Sequence, residues 1–184
     1  MGEKIMKAQN TEDIITWHVD VTHDGVPDMI EVDIALAKSE APTGNEETIR
    51  VYSGKTGEKI WTGHADTIQI GWNGFYIYTD PKTGKAYLVN WRPTMYQGIG
   101  NFRYHVFSLS EQGNIITLAE EGIDFRVDQI ANDKAEKERL QQYINRLNYY
   151  LKNGYILLDT DQGKVRFSKM GEPTRVLYDI GNLG

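Results

Sequence analysis

The 184-residue sequence predicts a β-dominated α+β domain: a twisted antiparallel sheet of successive hairpins, one C-terminal amphipathic helix and a final hairpin. Two observations carry this. Apolar and polar residues alternate with period two between Gly-, Pro- and Asx-rich turns through about residue 120, and after Asp128 the period switches to that of a helix. A chain of this length builds its core without disulfides, consistent with the absence of cysteine, so a single domain over residues 1–184 is expected. Its parts are a β region at 1–125, the helix at 128–153, and a terminal hairpin and tail at 155–184.

Along the chain, Met29 to Leu36 place Ile30, Val32, Ile34 and Leu36 on one side and Glu31 and Asp33 on the other, the pattern of a half-buried strand. Thr48 to Tyr52 and Glu58 to Thr62 flank the turn Ser53-Gly54-Lys55-Thr56-Gly57 as a hairpin. Gly74 to Thr79 returns through Asp80-Pro81-Lys82-Thr83-Gly84 as Ala86 to Trp91. Arg103 to Leu109 returns through Ser110 to Gly113 as Asn114 to Ala119. Ile49 to Ser53 followed by Gly57 echoes Tyr104 to Ser108 followed by Gly113, which fits a duplication and a chance likeness of hairpins equally well. In the helix, Leu140, Tyr143, Ile144, Leu147 and Leu151 share a face, Asp133 is the expected N-cap with Glu136 three residues on, and Asn153-Gly154 is a left-handed stop. Tyr155 to Leu158 and Lys164 to Ser168 form the last hairpin and return to the sheet, leaving the helix to cover one sheet face.

Composition narrows the function. With 26 acidic against 20 basic residues the net charge is -6, which argues against a nucleic-acid partner, since such binding draws on clustered Lys and Arg. No apolar run reaches the 18 or so residues of a membrane-spanning helix, and the first ten residues hold no signal-peptide core. Absent cysteine excludes thiol catalysis and Cys-ligated zinc.

The sharpest motif is Asp20-Val21-Thr22-His23-Asp24-Gly25-Val26-Pro27-Asp28. Oxygen donors fall at positions 1, 3, 5 and 9, with glycine at position 6 where the chain must turn. Asp20, Asp24 and Asp28 offer carboxylates, Thr22 a hydroxyl and Val26 a backbone carbonyl, a hard all-oxygen set suited to calcium. Two other readings stay open: a metal-free Asx-rich turn, and an EF-hand, because Glu31 lies at position 12. The EF-hand requires helices on both sides, whereas Pro27 and the alternation that follows indicate a strand.

Asp20 to Val32 resembles the calcium loop of FG-GAP and VCBS repeats, of the Asp-x-Asn-x-Asp-Gly-x-Pro-Asp-apolar-apolar type, and Asp28 to Val32 resembles the strand that follows it. The resemblance implies propeller-blade-like hairpins, a structural calcium ion on Asp20, Thr22, Asp24, Val26 and Asp28, and an extracellular or cell-surface bacterial protein whose export signal lies outside this sequence. Thr22 departs from the pattern, which usually has Asp or Asn there and so one stronger oxygen donor. Asp80-Pro81-Lys82-Thr83-Gly84, the corresponding turn of a second unit, lacks the acidic set.

His18, His23, His64 and His105 show no zinc-hydrolase spacing, and His23 is expected in solvent. No nucleophile elbow, phosphate loop or dinucleotide fingerprint occurs. The dense aromatics of residues 61–104 read as cross-strand packing or as a ligand platform on Tyr87, Trp91 and Tyr96, with Asn90, Arg92 and Gln97 as hydrogen-bonding partners of a glycan or surface protein. Glu120, Glu121 and Asp124 are the carboxylates an acid/base mechanism would use, although they lie near the start of the helical region, where negative charge is favoured in any case. The expectation is a noncatalytic binding or adhesion module with structural calcium. The alternatives are a small secreted hydrolase, acting on glycans, and an accessory domain of a surface assembly.

Overall fold

A computed structural model describes residues 13–38, 46–65, 72–161, 164–168 and 177–179. Among these, ten strands divide between two antiparallel sheets. The first has the order β1 (Ile14–Val19), β2 (Asp28–Asp33), β3 (Ile49–Tyr52), β4 (Lys59–Gly63). The second has the order β10 (Lys164–Arg166), β9 (Gly154–Asp161), β5 (Trp72–Thr79), β6 (Ala86–Tyr96), β7 (Ile99–Leu109), β8 (Ile115–Arg126). Three helices complete it: α1 (Ile34–Ala37), α2 (Val127–Asn132) and α3 (Lys134–Lys152).

The β-dominated α+β class, the late amphipathic helix and the returning hairpin are as the sequence predicts; the division into two sheets is a difference. Alternation explains it. Ile30, Val32, Ile49 and Val51 of the first sheet pack on Phe75, Ile77, Leu88, Phe107 and Leu109 of the second. The intervening residues Tyr76, Tyr78, Val89, Trp91, Phe102 and Tyr104 point the other way, onto Leu140, Tyr143, Ile144, Leu147 and Leu151 of α3. The six-stranded sheet is thus a middle layer whose strand β5 is buried on both faces, which is why β5 reads as an unbroken apolar run from Phe75 to Tyr78. Each large side chain sealed in this way contributes about 1.5–3 kcal/mol. Burial also pushes the Tyr78, Tyr143 and Tyr155 hydroxyls well above their ordinary titration range.

Several boundaries differ from the sequence pattern. β2 stops at Asp33, whose side chain accepts the Leu36 N–H and turns Ile34 to Ala37 into a short helix rather than more strand. β6 and β7 run longer than expected, because Gln97 (φ 51°) and Gly98 (φ 75°) form a tight two-residue turn between them, and β8 lengthens by pairing along β7 as far as Ile99. Asp133 caps α3 through the Ala135 and Glu136 N–H groups, as expected. The stop of α3 is not left-handed: Asn153 has φ -98°, and Gly154 has no positive φ. Gly154 is required for a different reason, since β9 begins there hard against the β5 backbone, where an added Cβ would meet the Ile77 carbonyl. Gly154→Ala is therefore expected to cost about 1–3 kcal/mol of unfolding free energy, read from chemical denaturation. An unchanged midpoint would mean that the two strands separate freely.

Candidate metal centre

The 20–28 segment joins β1 to β2, so strands flank it on both sides. Helices do not, and Glu31 lies in β2 facing Arg50, 3.5 Å from its guanidinium, in place of the twelfth ligand position of an EF-hand. The loop is wound by its own carboxylates. Asp20 accepts the Asp24 and Gly25 N–H groups at 3.2 and 2.9 Å, and Asp24 accepts the Val26 N–H at 2.8 Å. Gly25 sits at φ 88°, the left-handed conformation anticipated for it, and His23 adopts φ 60° beside it.

Asp28 anchors this winding. It is fully buried and accepts the Val21 N–H (2.9 Å), the Thr22 N–H (3.0 Å) and, from the β3–β4 turn, the Gly54 N–H (2.9 Å). The Thr22 hydroxyl lies between Asp28 and Asp20, 3.0 and 3.3 Å from their oxygens. The loop is docked onto the second sheet by the Leu109 N–H donating to the Val21 carbonyl and by His23 Nε2 at 2.8 Å from the Ala86 carbonyl. His23 is consequently half-buried with its ring edge on Tyr87, a correction to its expected exposure. The close approach of the β3–β4 turn is also why residue 54 is glycine: a Cβ there would overlap the Pro27 carbonyl.

Each of Asp20, Asp24 and Asp28 offers one oxygen within 4.8 Å of the others. Ligands on opposite sides of a calcium ion at about 2.4 Å each are about that far apart, so the spacing fits one ion among them. A fourth carboxylate, from a distant part of the chain, lies against Asp24 without being one of the three-oxygen group. Glu111, in the β7–β8 turn, faces Asp24, and their interaction holds the Asp24 carboxyl below its usual value and pushes the Glu111 carboxyl above its own. Asp24 Oδ2 and Glu111 Oε1 are both buried without a donor. Two carboxylate oxygens are both acceptors, so only a shared proton or a cation satisfies them together. Lys55 is near enough to oppose both charges in part. Asp28, by contrast, spends most of its lone pairs on backbone donors, and its chief part is to fix the loop.

Sequence reasoning missed Glu111 and Gly54, because a turn acid and a turn glycine carry no signal of what another hairpin brings against them. The remaining predicted site residues are not assembled at this place. Trp91 is fully buried among Phe102, Tyr143 and Tyr178, so it belongs to the core and not to an exposed platform. Tyr87 is half-buried beside Tyr78, and Tyr96 stands exposed next to the Gln97–Gly98 turn. His64 bonds the Glu46 carbonyl and His105 the Thr117 hydroxyl. Glu121 pairs with Arg146 of α3, and Asp124 with Arg103. No helix of the described residues is long and apolar enough to cross a membrane. Comparisons with protein-family models, with curated proteins and with solved structures give no match for this chain.

Proposed function

We propose that the chain is a noncatalytic, exported or cell-surface binding domain whose β1–β2 loop takes up calcium as a structural cross-link, in the manner of the FG-GAP and VCBS loops it resembles. One observation carries the metal: one oxygen each of Asp20, Asp24 and Asp28 converge within 4.8 Å, and Asp24 Oδ2 and the neighbouring Glu111 Oε1 are buried and lack donors. An all-oxygen, multiply charged set of this kind suits calcium better than zinc or copper. The ion's role would be mechanical. It would tie the β1–β2 loop to the β7–β8 turn, while Asp28 ties the same loop to the β3–β4 turn, joining the two sheets at one end. Such a staple suits a domain that works outside the cell, where calcium is plentiful.

The test is a pair of melting curves on the full chain, in a chelator and in excess calcium. At a calcium concentration about a hundred times the dissociation constant, ligation adds about 2.7 kcal/mol, which raises the melting temperature of a chain this size by about 5–10 °C. Asp24→Asn is expected to abolish that rise while leaving the chelated protein as stable as the parent or more so, since it removes one of two opposed carboxylates. Glu111→Gln is expected to reduce the rise. An identical melting temperature with and without millimolar calcium leaves the loop as a metal-free Asx turn and overturns the proposal.

A further inference from the structure

The second sheet outreaches the first. β6, β7 and β8 run 11, 11 and 12 residues, yet the four-stranded sheet covers only the stretch of that face that carries residues such as Leu88, Phe107 and Leu109. Beyond it, the same face presents Asn90, Arg92 and Thr94 of β6 directly opposite His105, Arg103 and Asn101 of β7. Two adjoining hollows of about 390 and 330 Å³ lie there and share Asn90, Arg92 and His105. Glu120 borders the first, and Trp61, His64, Phe75 and Phe107 wall the second.

The charge arrangement on this shelf is unusual for the chain. Arg92 and Arg103 are register partners on one face, and like charges directly opposite destabilise a strand pair. Arg103 is held down: it donates to the Phe102 carbonyl at 3.0 Å, lies 3.4 Å from Asp124, and crosses Gly122, where a Cβ would displace it. Arg92 is exposed and makes no hydrogen bond or ion pair with a described residue. Two arginines thus line one hollow in a protein of net charge -6, with one carboxylate, Glu120, among the residues lining it. A guanidinium fork matches a carboxylate in two parallel hydrogen bonds. The amides of Asn90 and Asn101 and the carboxylate of Glu120 match hydroxyl groups, and half-buried Trp61 supplies a ring at the far end.

The geometry points to an acidic saccharide as the occupant: a uronate-bearing chain whose carboxylate meets Arg92 and Arg103 and whose hydroxyls meet the flanking amides. The inference rests on the binding-module reading and not on the calcium loop. Arginines alone would take any anion; the amide groups, the acceptor and the aromatic wall are what favour a sugar acid.

The probe is a tetramer of galacturonic acid titrated into the full chain in millimolar calcium, followed by calorimetry and tryptophan fluorescence, with a neutral galactose tetramer and inorganic phosphate as controls. Binding is expected for the acidic tetramer, weaker at high salt, and about tenfold or more weaker for the neutral tetramer and for Arg92→Gln, the loss of one charge-assisted contact. Arg92 is exposed, so this variant keeps the fold. No binding at millimolar tetramer, equal binding by Arg92→Gln, equal binding of the neutral tetramer, or phosphate binding as tightly as the tetramer would each overturn the inference. The same samples melted with and without calcium read the metal loop separately, so either proposal can fail while the other stands.

Discussion

Replacing Asp28 with alanine is expected to lower the unfolding free energy by about 3–5 kcal/mol, and to do so in chelator as well as in calcium. The side chain is fully buried and accepts three backbone N–H groups, from Val21, Thr22 and Gly54, besides the Thr22 hydroxyl. Alanine strands those donors inside a loop that cannot reach water without unwinding, and each stranded donor costs about 1–3 kcal/mol. The Gly54 bond spans 26 residues, so its loss also loosens the β3–β4 turn from the loop. The contrast with Asp24→Asn is informative. Asp24 carries an unpartnered oxygen and Asp28 carries none, so one variant should remove the response to calcium at little structural cost, and the other should damage the protein whether or not calcium is present. Equilibrium urea unfolding of both variants, with and without calcium, gives four numbers that separate the two roles. If Asp28→Ala costs less than about 1 kcal/mol in chelator, the loop is not wound on Asp28 as described.

The second large effect lies at the opposite side of the fold. Arg166→Met is expected to destabilise the chain by about 3–5 kcal/mol. Arg166, on the short edge strand β10, makes a two-pronged contact with Asp159 of β9, 2.7 Å from Nε and 2.9 Å from Nη2. Asp159 is fully buried, and its second oxygen also accepts the Tyr76 hydroxyl at 2.9 Å. Methionine conserves much of the stem that packs there but takes the Arg166 guanidinium away from a buried carboxylate. Adding Asp159→Asn to Arg166→Met removes the buried charge that Arg166 offset, so the double variant should recover a substantial part of the loss. Urea unfolding of the parent, the two single variants and the double variant measures the coupling directly. Coupling of less than about 0.5 kcal/mol would mean that water reaches Asp159 and does the work assigned to Arg166.

How far this chain is legible before folding can be judged from particular residues. Leu140 to Leu151 announce α3, and all five of its predicted face residues are buried. Asp133 announces its cap. The turns at Gly57, Gly84 and Gly113 appear with positive φ in the first three predicted hairpins, and the turn glycine of the last, Gly163, lies outside the described residues. The Gln97–Gly98 turn escapes the sequence pattern, because Pro93, four residues before Gln97, is a residue that strands accept only at edges and irregularities. Trp91 and Tyr96 illustrate the limit of alternation. Period two says which side of a strand a residue takes, but it cannot say that α3 will cover one of those sides and leave the end of the hairpin bare.

Local chemistry along the chain therefore determined the strands, the helix, the three-aspartate winding of residues 20–28 and the glycine that lets it turn, because each depends on neighbours a few residues away. Tertiary structure alone decided that the hairpins divide between two sheets, that Glu111 and Gly54 meet the aspartate loop, and that Arg92 and Arg103 line one hollow beyond the reach of the four-stranded sheet. The physical reason is one of range. Hydrogen bonds and backbone conformation are set over a turn, whereas which faces are buried and which charges converge is set by how layers stack, and that free energy belongs to the whole chain at once.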